Sequence, residues 1–177
     1  MIGRARVMMK PQDILVLLKL AAHPGAPWTY NRLAESVGLS ASETHASAQR
    51  LVLSGLARGA PMPVPVRAAV HEFLAHGLRY VFPAEYTRVT RGVPTAASAP
   101  SIAGALELVT PELPVVWPLS TGAVRGQGLV PVHPSMPTAA LRDPELHELL
   151  ALADLLRIGS ARERSLAIKA LQRETCA

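Results

Sequence analysis

Two histidines in the segment HEFLAH (residues 71–76) are the residues that most closely match a metal-binding motif. A zinc-protease helix carries its two histidines four residues apart, so that both rings reach one ion from the same face. Here the spacing is five, which turns an α-helix by about 500° and leaves the two rings roughly 140° apart. We therefore predict that His71 and His76 are polar surface residues and that the chain holds no metal.

Other catalytic arrangements lack essential members. The sequence Gly126-Gln127-Gly128 has neither the further glycine of a dinucleotide fingerprint nor the Lys-Ser/Thr pair of a phosphate loop. No G-x-S-x-G motif presents a nucleophilic serine. The single cysteine, Cys176, leaves no cysteine set for structural zinc. We predict that the protein is not an enzyme and needs no cofactor.

A predicted helix over residues 41–54 carries side chains suited to recognition. Serine and histidine can bond bases or phosphates, glutamine can pair with adenine, and arginine can bind guanine or phosphate. Two members of the outward face, an acidic Glu43 and a short Ala46, leave that face weakly charged. Either flanking cations supply affinity for nucleic acid, or the helix binds protein. The outward side chains should be Ser42, Glu43, His45, Ala46, Gln49 and Arg50.

Local signals in residues 29–56 predict two short helices joined by a tight turn. Thr29 is a suitable N-cap for the first helix. Gly38 can adopt the left-handed conformation that ends it. Ser40 and Glu43 have the spacing of a capping box for the second helix, and Gly55 closes that helix.

This pattern resembles the winged helix-turn-helix of bacterial MarR-type and ArsR-type transcriptional regulators over roughly residues 10–80. The resemblance implies DNA binding, although winged helices also serve as protein-binding modules. The matching residues are Leu33-Ala34, Gly38, Leu39-Ser40, Ser42, His45, Arg50-Leu51 and Gly55-Leu56.

The resemblance implies that helix 41–54 enters the major groove with its N-terminal half toward the bases. Three prolines in residues 57–65 predict a stunted wing, because proline cannot donate a ladder hydrogen bond. A basic N-terminal arm would add backbone contacts. The candidate DNA-binding residues are Thr29, Arg32, Ser40, Ser42, His45, Ala46, Gln49, Arg50, Arg58, Arg4 and Arg6.

The positive charge is concentrated in the same half of the chain. Residues 1–91 contain eleven Lys/Arg and five Asp/Glu, a balance of +6, whereas residues 92–177 contain seven and eight, a balance of −1. A basic surface is what phosphate binding requires.

The chain divides by composition into four segments. We predict a basic arm over 1–10, a winged helix-turn-helix over 11–82, a Pro-rich irregular or β segment over 83–141 and a helical hairpin over 142–177. The hairpin either forms a dimer interface or packs on its own domain. The third segment holds nine of the sixteen prolines and three β-like runs at 86–93, 114–117 and 123–133. Asp143 should cap the hairpin. The fold class is therefore mainly α with a small β component.

Partners and location follow from the same observations. The apolar run at 14–22 is broken by Lys19 and is too short to cross a bilayer, and a lone cysteine fits a reducing compartment. We expect a cytoplasmic homodimer on double-stranded DNA, with no membrane association. Two recognition helices would then read half-sites roughly 34 Å apart. The alternative is a winged-helix protein-interaction module, antitoxin-like or a scaffold, acting through residues 83–141.

Overall fold

Helix α1 (Pro11–Ala22) begins at a proline and is buried along most of its length. The computed structural model describes residues 8–176, and the side chains of residues 8–172. Proline suits a first turn, since the N–H that it lacks would have no partner within the helix. All of the side chains from residue 14 to 18 are fully buried. The apolar run that begins at residue 14 is therefore part of a buried helix.

Helices α2 (Tyr30–Val37) and α3 (Ala41–Leu53) have the ends that the sequence predicts. The Thr29 hydroxyl accepts a hydrogen bond from the Arg32 amide at 3.3 Å. Gly38 has a φ of 69°, which a residue with a side chain rarely adopts. Ser40 and Glu43 form a reciprocal capping box at the start of α3. These local contacts fix the turn between the two helices.

A short hairpin follows α3. Strand β1 (Ala57–Arg58) pairs antiparallel with β2 (Val64–Pro65), and each strand has only two residues. A helical stretch then runs through α4 (Arg67–Glu72), a π-helical segment (Phe73–Gly77) and α5 (Leu78–Val81). The predicted short hairpin is confirmed.

Three strands form a small sheet in the Pro-rich segment, in which each strand pairs with the other two. Strand β3 (Tyr86–Pro94) runs antiparallel to β4 (Val115–Pro118) and to β5 (Val124–Leu129), while β4 and β5 run parallel. The three predicted β-like runs are confirmed. A 3₁₀ turn (Ala96–Ser98) and the helices α6 (Pro100–Ala105) and α7 (Met136–Leu141), which the sequence did not predict, also lie in this segment.

Close packing of these strands explains the Gly126-Gln127-Gly128 sequence. A Cβ atom at Gly126 would overlap the carbonyl oxygen of Pro114, and one at Gly128 would overlap the hydroxyl of Thr87. Gln127 donates from its amide to the Thr87 carbonyl oxygen. Glycine is needed here so that backbones can approach each other.

Helices α8 (Pro144–Ile158) and α9 (Ala161–Cys176) end the chain. Asp143 caps α8 by accepting from the Leu146 amide at 3.1 Å, as predicted. Every residue from 149 to 157 is buried, because α8 packs against α1, α5, α7 and α9. The three segments from residue 11 onward thus share one hydrophobic core, against which the partly buried Met9 also packs. Among the described side chains, the leucines of α8 are buried within their own chain.

The architecture is mainly helical with a small β component, as the sequence predicts. Among the helices of residues 8–176, none is long and apolar enough to cross a membrane.

Candidate nucleic-acid interface

The polar face of α3 points away from the core. Ser42, His45 and Gln49 are exposed, as is Glu43, and Ala46 is half-buried. Ser42, His45 and Gln49 have the i, i+3, i+7 spacing of a single helical face. Within the part of the chain that the structure describes, the side chains of Ser42 and Gln49 have no hydrogen-bond partner. Their polar atoms can therefore bond an external group.

Arg50 does not belong to this face, and the prediction that it points outward is wrong. Its guanidinium binds the Asp13 carboxylate, with Nε and Nη2 donating over 2.7 to 3.2 Å. Nη2 also donates to the Ser47 hydroxyl at 3.1 Å. The Asp13 side chain is fully buried and that of Arg50 is 17% exposed. A buried carboxylate needs a paired cation, and this need turned the arginine inward. The hydrogen bond to Asp13 also raises the pKa of Arg50.

Tyr30 connects both helices to the hairpin. Its ring meets the His45 ring edge-on, with centroids 4.9 Å apart. Its hydroxyl donates to the Pro61 carbonyl oxygen at 2.6 Å, in the loop between β1 and β2. Burial raises the pKa of Tyr30, so the phenol stays protonated and able to donate. The Tyr30 side chain therefore links the hairpin loop to α2 and, through His45, to α3.

A groove of about 550 Å³ lies between α3 and the hairpin loop. Its walls include His45 and Gln49, and also the apolar Val52 and Leu53 at the end of α3. Leu53 is 68% exposed. The candidate interface is therefore polar at the start of α3 and apolar at its end.

Exposed cations flank this face, but they are fewer than the number of Lys/Arg in residues 1–91 indicates. Arg58 on β1 and Arg32 on α2 are exposed, and Arg32 donates to the Pro27 carbonyl oxygen at 3.3 Å. Thr29 and Ser40 are both occupied as helix caps. Arg4 and Arg6 lie outside the described residues, whose first cation is the exposed Lys10.

The Pro-rich segment reaches the turn between α2 and α3. The Ser135 hydroxyl donates to the Gly38 carbonyl oxygen at 3.4 Å. Burial lowers the pKa of the nearby His133, while the charge of Glu43 acts in the opposite direction. The hydrogen bonds from the Ser40 hydroxyl and amide lower the pKa of Glu43, so this carboxylate is charged at neutral pH. The start of α3 is thus next to residues that are nearly a hundred positions away in sequence.

The His71 and His76 pair does not form a metal cluster. His71 is half-buried, with Nε2 at 3.3 Å from the Ile168 carbonyl oxygen, and His76 is exposed. Between residues 8 and 172, a group of side chains with metal-binding geometry occurs at His23, Asp143 and Glu145. However, the Lys19 ammonium binds the same Asp143 oxygen as His23 does. This positive charge occupies the place that an ion would need.

The sequence did not predict two long-range contacts near the candidate interface. The Asp13–Arg50 pair joins residues 37 positions apart, and an aspartate in a first helical turn is ordinarily read as a cap. The hydrogen bond from Tyr30 to Pro61 crosses 31 positions. The available signal was an aspartate directly before the apolar run that starts at residue 14, since a buried charge implies a partner.

Comparisons of the chain with protein-family models, with curated proteins and with solved structures found no match.

Proposed function

We propose that the protein is a DNA-binding transcriptional regulator whose winged helix-turn-helix consists of α2, α3 and the β1–β2 hairpin. The observation that carries this proposal is the exposed polar row of Ser42, His45 and Gln49 on α3. The residues at the two ends of the row are seven positions apart, or about 10 Å along a helix. That length matches the few base pairs that one helix reads in a major groove.

The hairpin supports this proposal by its position. Tyr30 binds the hairpin loop, and Gly59, Ala60 and Pro61, which follow Arg58 in that loop, line the groove beside α3. An arginine there would bind a phosphate of the groove that α3 enters. Arg32 at the start of α2 would bind a second phosphate. Affinity would come from these flanking cations, and selectivity from Gln49 and His45.

The test is a selection of duplexes from a random library, followed by fluorescence anisotropy over a salt series. We expect Gln49→Ala to weaken the selected duplex by about 1–3 kcal/mol and to relax preference at one base pair. Arg58→Ala should weaken all duplexes equally and lower the log–log salt slope by about 1. Both residues are exposed, so neither substitution should alter stability.

Arg162→Ala is the matched control for Arg58→Ala, because Arg162 is an exposed arginine on α9. It should leave both affinity and slope unchanged. A palindromic selected site would support a homodimer, which sedimentation of the complex would measure. Failure to enrich any duplex, or equal effects of Arg58→Ala and Arg162→Ala, would reject DNA binding through α3.

The apolar end of the groove favours a second function, the binding of a protein segment. Val52 and Leu53 are exposed beside the Pro61 loop, and exposed apolar patches with polar rims often mark protein contacts. A displayed peptide library would test this function. Leu53→Asp should abolish binding of an enriched peptide, whereas Gln49→Ala should weaken DNA binding and leave peptide binding unchanged. If Leu53→Asp retains the peptide, the groove is not its site.

A further inference from the structure

One face of the β3–β5 strand pair, far along the chain from α3, places two positive charges side by side. Arg91 on β3 lies directly opposite Arg125 on β5 in the antiparallel register. Side chains at opposite positions share a face of the sheet, with Cβ atoms roughly 5 Å apart, and like charges there destabilise the pairing. Both arginines are exposed. We call the face that carries them the arginine face.

No carboxylate neutralises these two charges. Strands β3, β4 and β5 together contain three arginines and no acidic residue. None of the ion pairs between described side chains includes Arg91 or Arg125, and neither guanidinium has a hydrogen-bond partner among residues 8–172. Their donors are therefore free for an external anion. A phosphate suits them, because a guanidinium can donate two parallel hydrogen bonds to its oxygens.

Farther along the arginine face, the surface becomes apolar and aromatic. The next row on this face pairs Val89 with Gln127, and the last pairs Tyr86 with Leu129. A register shift between Tyr86 and Val89 adds one residue to β3, which returns Tyr86 to this face despite the odd spacing. Tyr86 is 52% exposed. Its row lies four residues from the arginine row along β5, or about 13 Å.

We propose that the arginine face binds a single strand of nucleic acid, with phosphates on Arg91 and Arg125 and a base stacked on Tyr86. A positive surface that follows the backbone, together with an exposed aromatic ring, is how proteins hold single strands without reading sequence. A duplex fits less well, because its bases are stacked on one another and cannot reach a ring on a sheet. An acidic peptide would pair with the arginines but leave the Tyr86 ring unused. None of these residues belongs to α3 or to the β1–β2 hairpin, so this binding does not depend on the proposed regulator.

The test measures fluorescence anisotropy of a labelled oligothymidylate on the full chain over a salt series. Arg91→Gln and Arg125→Gln should each lower the log–log salt slope by about 0.7, and together they should weaken binding at least tenfold. Arg162→Gln, at an exposed position of α9, is the matched control and should change neither affinity nor slope. Tyr86→Ala should weaken binding about tenfold at an unchanged slope, whereas Tyr86→Phe keeps the ring and should bind like the wild type.

Urea denaturation of the same variants separates binding from folding. Removal of one of two opposed arginines relieves their repulsion, so Arg125→Gln should be at least as stable as the wild type. Equal binding by the double arginine variant and Arg162→Gln would overturn the proposal, as would unchanged affinity of Tyr86→Ala. Displacement of the oligothymidylate by polyglutamate at equal charge concentration would also overturn it, because the face would then recognise negative charge alone.

Discussion

Two Asp–Arg pairs among the described side chains, one in each half of the chain, are built differently. Asp13 and Arg50 join α1 to α3, and the arginine keeps one edge near solvent. Asp154 and Arg157 are both on α8, and their side chains are 1% and 3% exposed. The first pair holds α1 and α3 together in a helical unit where local caps already determine the ends of α2 and α3. The second pair is the centre of a network.

The network around Asp154 joins α8 to the three-stranded sheet. The carboxylate accepts from Thr95 at 2.9 Å, from the Trp117 indole at 2.6 Å and from Arg157 at 2.6 Å. Arg157 in turn donates to the carbonyl oxygens of Phe82 and Pro83. Burial raises the pKa of Asp154, while Arg157 and the two neutral donors act in the opposite direction. The contact between α8 and the strands thus depends on this one carboxylate, whereas the ends of α2 and α3 are stabilised by caps of their own.

The largest expected effect is therefore at Asp154. Asp154→Ala leaves a buried guanidinium and two buried donors unpaired, and should cost about 4–5 kcal/mol of unfolding free energy. Urea denaturation measures this loss. Trp117→Phe, which removes one donor, should cost about 1–2 kcal/mol. A loss below about 1 kcal/mol for Asp154→Ala would show that the network is not what holds the sheet.

Arg50→Ala should have the next largest effect. It leaves the fully buried Asp13 carboxylate without its cation and should cost about 3 kcal/mol by the same measurement. Asp13→Asn combined with Arg50→Met should recover most of this loss, because no charge then remains buried. The side-chain oxygen of the introduced asparagine can still accept from the Lys10 amide, as the Asp13 carboxylate does. If Arg50→Ala instead weakens DNA binding at unchanged stability, Arg50 belongs to the interface after all.

Asp143 lies between the two regions, because it caps α8 and binds Lys19 of α1. Burial alone would raise its pKa, but hydrogen bonds from Lys19, the Leu146 amide and His23 hold the pKa of Asp143 at about 2. A carboxylate with a lowered folded pKa stabilises the fold above its unfolded value of about 4. Roughly 2 kcal/mol should therefore be lost as pH falls from about 4 to 2. Asp143→Asn should be less stable at pH 7 and should lack this part of the acid transition, which denaturation at a series of pH values would show.

The smallest expected effect is at a local cap of the helical half. Thr29→Ala removes the acceptor for the Arg32 amide and should cost about 1 kcal/mol. Thr29→Ser keeps the hydroxyl and should cost much less. Thermal denaturation followed by circular dichroism resolves the two. If Thr29→Ala lowers the unfolding free energy as much as Arg50→Ala does, buried ion pairs do not contribute more stability than helix caps.

The sequence by itself determined the elements whose causes are local. The caps at Thr29, Ser40 and Asp143, the left-handed Gly38 and the stunted hairpin each depend on residues within a few positions. The sequence also predicted the three strand runs, because proline and glycine mark their limits. Such contacts depend on short chain segments, so spacing predicts them.

Only the tertiary structure decided where the long-range groups meet. It turned Arg50 toward Asp13, placed Tyr30 against the hairpin loop, and gathered Thr95 and Trp117 around Asp154. It also enclosed α8 in the core of its own chain. The physical reason is that a buried charge or donor takes whichever partner the packing brings within about 3 Å, and packing depends on the whole chain.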